Sequence, residues 1–283
     1  MKSQDIRNKK FVTRYQVLLG AIVFALFLAP NAMAQTDAPP ASLSTDAHPW
    51  VQAKAVLTAT QNDFSQNGIQ SVANHVNDLE QALANGDKAF TASDPGDGPV
   101  VVLADGPAES LIVTAMAGKI AETTKRQVET IANPYPLIGL YLGSYYNEIG
   151  RNDDAVRVLD RAIKLSAAPE MRLGQTLPLL LSERGAALAQ LRRWDDALAD
   201  YDDGLKIETM ADESRARLYR GRGYALTELN RLDEAEQAYN ESLKLAPGNP
   251  LATHELQYIA KLKAGAPRSP PGNLTLPAPQ KPQ

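Results

Sequence analysis

Five aspartates, Asp195, Asp196, Asp200, Asp202 and Asp203, fall within one short stretch and raise the question of calcium. An EF-hand loop needs oxygen ligands at positions one, three and five, a glycine at six and a glutamate at twelve. Counted from Asp200, position five is Gly204, so the frame fails. The run also lies in a predicted helix, which turns its carboxylates around an axis rather than toward one ion. The expectation is a solvated acidic helix face. Gly221-Arg222-Gly223 begins a dinucleotide-type G-x-G, but position 226, where the third glycine belongs, is leucine, and no strand precedes it. His48, His75 and His254 stand in separate segments, none with a second histidine at i+3 or i+4. His75 reads as a surface or boundary residue. The turn from Asp105 to Ser110 reads as an ordinary loop with Glu109 in the first helical turn rather than as a site. G-x-S-x-G, S-x-x-K and H-E-x-x-H do not occur. The chain has no cysteine, which removes disulfides, thiol catalysis and Cys-ligated metal together. These residues predict no catalytic site, no cofactor site and no metal site.

A different regularity runs through the chain. Gly143, Gly185 and Gly223 are each followed twelve residues later by Ala155, Ala197 and Ala235. Six residues after each glycine comes Ile149, Leu191 or Leu229, and sixteen after comes Leu159, Tyr201 or Tyr239. Further on come the small residues Ala162, Gly204 and Ser242, then the apolar Ile163, Leu205 and Leu243 and Leu165, Ile207 and Leu245. In the last copy, Ser214 to Pro250, Tyr219, Leu226 and Leu229 keep helical spacing before a turn at Asn230–Arg231. Ala235, Tyr239, Ser242 and Leu243 keep it afterwards. Gly223 and Ala235 fall where the two helices would cross, and axes about 8–10 Å apart leave no room there for a large side chain. Asp233 and Glu234 suit the positive end of the second helix, and Pro247-Gly248 stops it. One such pair cannot bury its apolar face alone, so copies must stack.

This unit resembles the tetratricopeptide repeat (TPR). The last copy carries Tyr219, Gly223, Ala235, Tyr239 and Pro247. The first, about 136–168, carries Leu142, Gly143, Tyr146, Gly150, Ala155 and Ala162. The middle one, about 178–209, carries Gly185, Trp194, Ala197, Tyr201 and Gly204. Gly139 stands at the first aromatic position of the first copy, and Ala167 and Thr209 replace the terminal proline. The copies are 42 and 38 residues apart rather than the family's roughly 34. The extra residues, near 169–176 and 211–215, read as longer joints or extended helices. The resemblance implies an all-α, right-handed solenoid of helix–turn–helix units. It also implies a concave groove lined by the first helix of each unit, where peptide segments lie. Its inward positions map onto Tyr141, Ser144 and Asn147 in the first copy, Glu183 in the middle one, and Arg217, Arg220 and Tyr224 in the last. Arg217 and Arg220, one turn apart, would grip a carboxylate through paired N–H donors.

The first 34 residues read as a Sec-type signal peptide: a basic leader with Lys2, Arg7, Lys9, Lys10 and Arg14, an apolar run from Val17 to Leu28, and Ala32-Met33-Ala34 before Gln35. The run is short for a span of about 20 apolar residues. Cleavage after Ala34 would leave 249 residues with 24 Lys+Arg against 32 Asp+Glu, a formal charge of −8. That balance, without a basic stripe, argues against nucleic acid and against anionic membrane surfaces.

The expected organisation is a signal peptide at 1–34, a disordered linker at 35–47, an additional N-terminal helical region at 48–132, three repeats with a capping helix at 133–264, and a disordered Pro-rich tail at 265–283. The N-terminal region carries a helical stripe of Ile69, Val72, Val76, Leu79 and Leu83, and is either a degenerate repeat or a separate subdomain. Val100–Leu103 is a β-prone run without an evident partner. Pro107–Ile131 reads as one long helix. The tail is a recognition segment or a spacer. The functional expectation is a non-catalytic periplasmic scaffold or adaptor that holds a protein or peptide segment and needs no cofactor. The alternatives are an enzyme with its site in 46–132 and the repeats as a docking arm, or an inner-membrane-anchored TPR assembly factor.

Overall fold

The computed structural model describes residues 48–91, 99–166 and 174–268. The expected signal peptide and linker, and the tail beyond Arg268, lie outside the described residues. Three helical hairpins form the body: α5 (Tyr135–Glu148) with α6 (Asn152–Lys164), α7 (Leu177–Gln190) with α8 (Trp194–Leu205), and α9 (Asp212–Glu228) with α10 (Leu232–Leu245). Each second helix also packs on the first helix of the next pair, and α11 (Pro250–Lys263) closes the array against α9 and α10. The array of hairpins is an all-α solenoid. Ala252 and Ile259 are the buried residues of the closing helix.

The frame of small residues sets the hairpins. A Cβ on Gly143 would meet the Leu159 side chain, one on Gly185 the Tyr201 ring, and one on Gly223 the Tyr239 ring, all closer than 3 Å. The partner is the residue sixteen positions on in every copy, so each hairpin crosses at the same point. Tyr201 is enclosed on a second side, because a Cβ on Gly221 of α9 would overlap its ring. Gly221-Arg222-Gly223 is therefore a packing element inside a helix.

The turns repeat too. Gly150, Arg192 and Asn230 occupy the same position and all adopt left-handed backbone, with φ of 76°, 60° and 62°. The next amide donates back across the turn each time: Arg151 to Tyr146 O, Arg193 to Leu188 O and Arg231 to Leu226 O, at 2.8–2.9 Å. This pattern satisfies the last carbonyls of the first helix. The same arginines then bind the carboxylate three residues on: Asp154, Asp196 and Glu234. A non-glycine residue in this region costs roughly 1–2 kcal/mol, and Asn less. Arg192→Gly is therefore expected to stabilise the protein by about 1 kcal/mol and to raise Tm by about 2–4 °C, with Asn230→Gly giving less. Thermal melts of the two variants measure this, and a fall in Tm for Arg192→Gly would contradict it.

The N-terminal region is a further hairpin. Helix α1 (Pro49–Asn67) ends at Gly68, with φ 69°, and a 3₁₀ stretch (Ile69–His75) leads into α2 (Val76–Ala84) and the short α3 (Gly86–Thr91). Val72, Leu79 and Leu83 of the expected stripe are buried. Helix α2 packs on α5 and α6, as each later second helix packs on its neighbour.

The expectation of one helix from Pro107 to Ile131 is corrected. Helix α4 (Pro107–Thr124) stops at Lys125, which takes left-handed backbone. Val128–Ala132 then forms strand β2, which pairs in parallel with β1 (Val100–Ala104) in the register Val100↔Val128 to Ala104↔Ala132. The β-prone run thus has its partner. Leu103, Val101 and Ile131 face the main core, and α4 packs on both strands. Its Leu111 and Met116 are exposed.

This small β-α-β lobe holds the long joint between the first two hairpins. Asn133 donates from Nδ2 to Leu165 O at the end of α6. The Asp105 carboxylate accepts from Thr176 N and Oγ1 at 2.9 and 2.8 Å, and Asp105 O accepts from Gln175 N. The second joint is handled differently: α9 begins early, at Asp212, and Arg215 donates to the carbonyls of Leu205, Ile207 and Glu208 at the end of α8.

Candidate protein-interaction surface

The first helices α5, α7 and α9 bring three of the expected groove residues into one line. Asn147 of α5 donates from Nδ2 to the backbone O and the Oε2 of Glu183 on α7, at 3.1 and 3.0 Å. Glu183 Oε1 accepts from Arg217 of α9. A polar rail therefore crosses all three hairpins. Glu183 is 1% exposed and Arg217 7%. The carboxylate that Arg217 grips is one of the chain's own.

The other candidates lie apart from this line. Tyr141 packs edge-on against Phe64 of α1, with ring centroids 5.2 Å apart, and burial pushes its phenol up to about 12 against a hydrogen bond with Gln61. Ser144 is buried. Arg220 donates to Ser242 Oγ on α10 and to Glu213 Oε1 in the first turn of α9. Burial pulls its guanidinium down, and Glu213 partly restores it. Tyr224 meets Trp194 edge-on at 5.8 Å.

Residue reasoning missed a second line. Asp200 is buried and Asp202 half-buried, so the acidic run is not simply a solvated face. Arg184 binds Asp200 from Nε and Nη2, at 2.8 and 2.6 Å, and binds Asp160 from Nη1. Arg222 binds Asp202 at 2.6 Å. Arg184 and Arg222 each precede the repeat glycine, and Asp160 and Asp202 each lie five residues after the repeat alanine. The second helix of one hairpin is thus tied to the first helix of the next by the same ion pair twice. Burial opposes the charge on Arg184, but its bonds to Asp200 and Asp160 hold its pKa above the usual range. The recurrence of Arg and Asp in the glycine frame is the signal that would have found this ladder.

Elsewhere, a cleft of about 620 Å³ between α2 and α6 is lined by Glu80, Leu83, Arg157 and Arg161 among others. Its arginines are engaged: Arg157 with Glu80, Arg161 with Leu83 O and Ala84 O. His75 meets Asp63 at 3.1 Å. Among the described residues no three His, Cys, Asp or Glu side chains converge as a metal site would require, and no helix is long and apolar enough to cross a membrane.

A stack of hairpins with small residues at each crossing and a capping helix defines a helical-repeat protein. Residues 176–247 match the family model described as tetratricopeptide repeat. Among solved structures it is similar to the first TPR domain of the human RPAP3 protein (25% identity over 46% of this chain and 94% of that one, TM-score 0.40). It is also similar to the first TPR of Spaghetti (RPAP3) bound to an HSP90 peptide (27% identity, 46% and 94%, TM-score 0.40). A third is the second TPR domain of human RPAP3 in complex with an HSP70 peptide (25% identity, 44% and 98%, TM-score 0.37). No curated protein matches the chain.

Proposed function

We propose that the protein is a non-catalytic interaction scaffold, exported to the periplasm, which holds a peptide or protein segment on the side formed by α5, α7 and α9. The observation that carries this reading is the polar rail Asn147–Glu183–Arg217 crossing three stacked TPR hairpins. Buried, mutually bonded side chains fix the spacing of the three helices before a partner arrives, which lowers the cost of ordering on binding. The proposed surface also takes in Tyr141, Ser144, Arg220 and Tyr224, which lie apart from the rail; Tyr and Arg are types enriched at binding hot spots.

The test is capture of partners from envelope extract by the full chain and by an Arg220→Ala/Tyr224→Ala variant. Circular dichroism must first show the variant folded. The expected result is loss of at least one wild-type partner by about tenfold or more, the effect of a 1.4 kcal/mol contact. Identical partner sets would count against this surface. Export is tested separately by mass spectrometry of the N-terminus of the purified protein, which the proposal expects to begin at Gln35.

A further inference from the structure

The joint between the β-α-β lobe and the repeat array is built on a buried carboxylate pair. Asp105, 7% exposed, directly follows the last residue of β1; Glu109, 3% exposed, lies in the first turn of α4 and accepts from Asp105 N through Oε2 at 2.7 Å. The two carboxylates share one enclosure with the array: a Cβ on Gly174 would meet Asp105 Oδ2 at 2.8 Å and Glu109 Oε1 at 3.5 Å. Across the joint, Asp105 accepts from Thr176 N, Thr176 Oγ1 and, through its carbonyl, Gln175 N. Asp105 is thus the lobe's attachment point on the start of α7.

We propose that this joint is an acid-tightened clasp, which grips the array more firmly as the surrounding pH falls from neutral toward 5. Burial first, and then the facing charge of Glu109, push the Asp105 carboxyl up to about 6 against the Thr176 hydrogen bonds that pull it down. Among the described residues Glu109 is the charged group that faces it. The Gly174–Thr176 segment, the first turn of α7 and the end of β2 at Ala132–Asn133 bring no titratable side chain, and the start of α5 brings only the phenol of Tyr135, which burial pushes above its ordinary range. Because the closed state raises the Asp105 pKa above its open value of 3.8, protonation favours closure. The contribution is complete below the open-state value and is lost as pH rises through about 6. Between pH 7 and pH 5 the opening equilibrium falls by about tenfold. One carboxyl then carries a proton, and the like-charge repulsion across the pair is removed.

The experiment is hydrogen exchange of the full chain at pH 5 and pH 7, corrected for intrinsic rates, read at residues 128–133 and 174–177. The expected result is about tenfold greater protection at pH 5 in the wild type. Asp105→Asn, which carries no charge at either pH, is expected to show equal corrected protection at both. Equal protection of the wild type at the two pH values, or the same pH dependence in Asp105→Asn, would overturn the proposal. Should Asp105→Asn fail to fold, Glu109→Gln decides. Removing the facing charge moves the midpoint of the wild-type transition to lower pH, and an unmoved midpoint overturns the clasp.

Discussion

Arg217→Met is expected to destabilise the array by about 3–5 kcal/mol, because it leaves the Glu183 carboxylate buried with Asn147 as its remaining side-chain partner. The cost comes from the stranded charge rather than from loss of a favourable bond. The double variant Glu183→Leu/Arg217→Met removes both charges and is expected to recover most of the loss. Urea unfolding of the two single variants and the double measures this coupling. In a stack where each hairpin touches only its neighbours, the damage falls on the α7–α9 interface, so α5–α6 should keep its hydrogen-exchange protection. A single variant within 0.5 kcal/mol of wild type, a surface-like effect, would contradict the rail's structural weight.

Gly221→Ala is expected to cost about 1–3 kcal/mol, although alanine is favoured over glycine in a helix by about 1 kcal/mol. The new methyl group runs into the buried Tyr201 ring, which also stands against Gly185. The sign should reverse in a Tyr201→Ala background. With the ring gone the slot is empty, and the same Gly221→Ala change becomes neutral or stabilising by about 0.5–1 kcal/mol through helix propensity. Thermal or urea melts of the four proteins suffice. Destabilisation of equal size in both backgrounds would mean that the glycine is required for another reason.

The hairpins were legible because their constraint is local and repeated. Gly143, Gly185 and Gly223 sit under a side chain sixteen positions away, so one steric requirement writes itself into the chain three times. Strand β2 was not legible. Val128, Thr130 and Ile131 are β-branched, but no glycine or proline separates them from α4, and the helix is stopped by Lys125 in a left-handed conformation that any reading of types assigns to helix. The strand exists because β1 offers it a ladder, which is a tertiary fact. The acidic run misled for a related reason. Asp200, Asp202 and Asp203 look alike in sequence, yet the first faces half-buried Arg184, the second Arg222, and the third pairs with Lys206 at the end of its own helix. Helical phase relative to the next hairpin decides their roles, and that phase depends on a joint whose length varies between copies. The groove candidates illustrate the same limit. Position in the repeat placed Asn147, Glu183 and Arg217 on one side, but it did not reveal that they bond to one another.

Arg268 reaches back from beyond the closing helix to donate to Thr227 O, Glu228 O and Asn230 Oδ1 at 2.8–3.2 Å. Tension applied through the residues that follow it would therefore not begin by peeling α11 from its end. The load enters at the turn between α9 and α10, where three hydrogen bonds must shear together, and passes along α9 to the Arg217–Glu183 pair. A chain tethered by its C-terminal side would transmit force into its last hairpin while α11 stays seated, and single-molecule pulling with Arg268→Ala should convert one abrupt release into gradual unzipping from Lys263 inward.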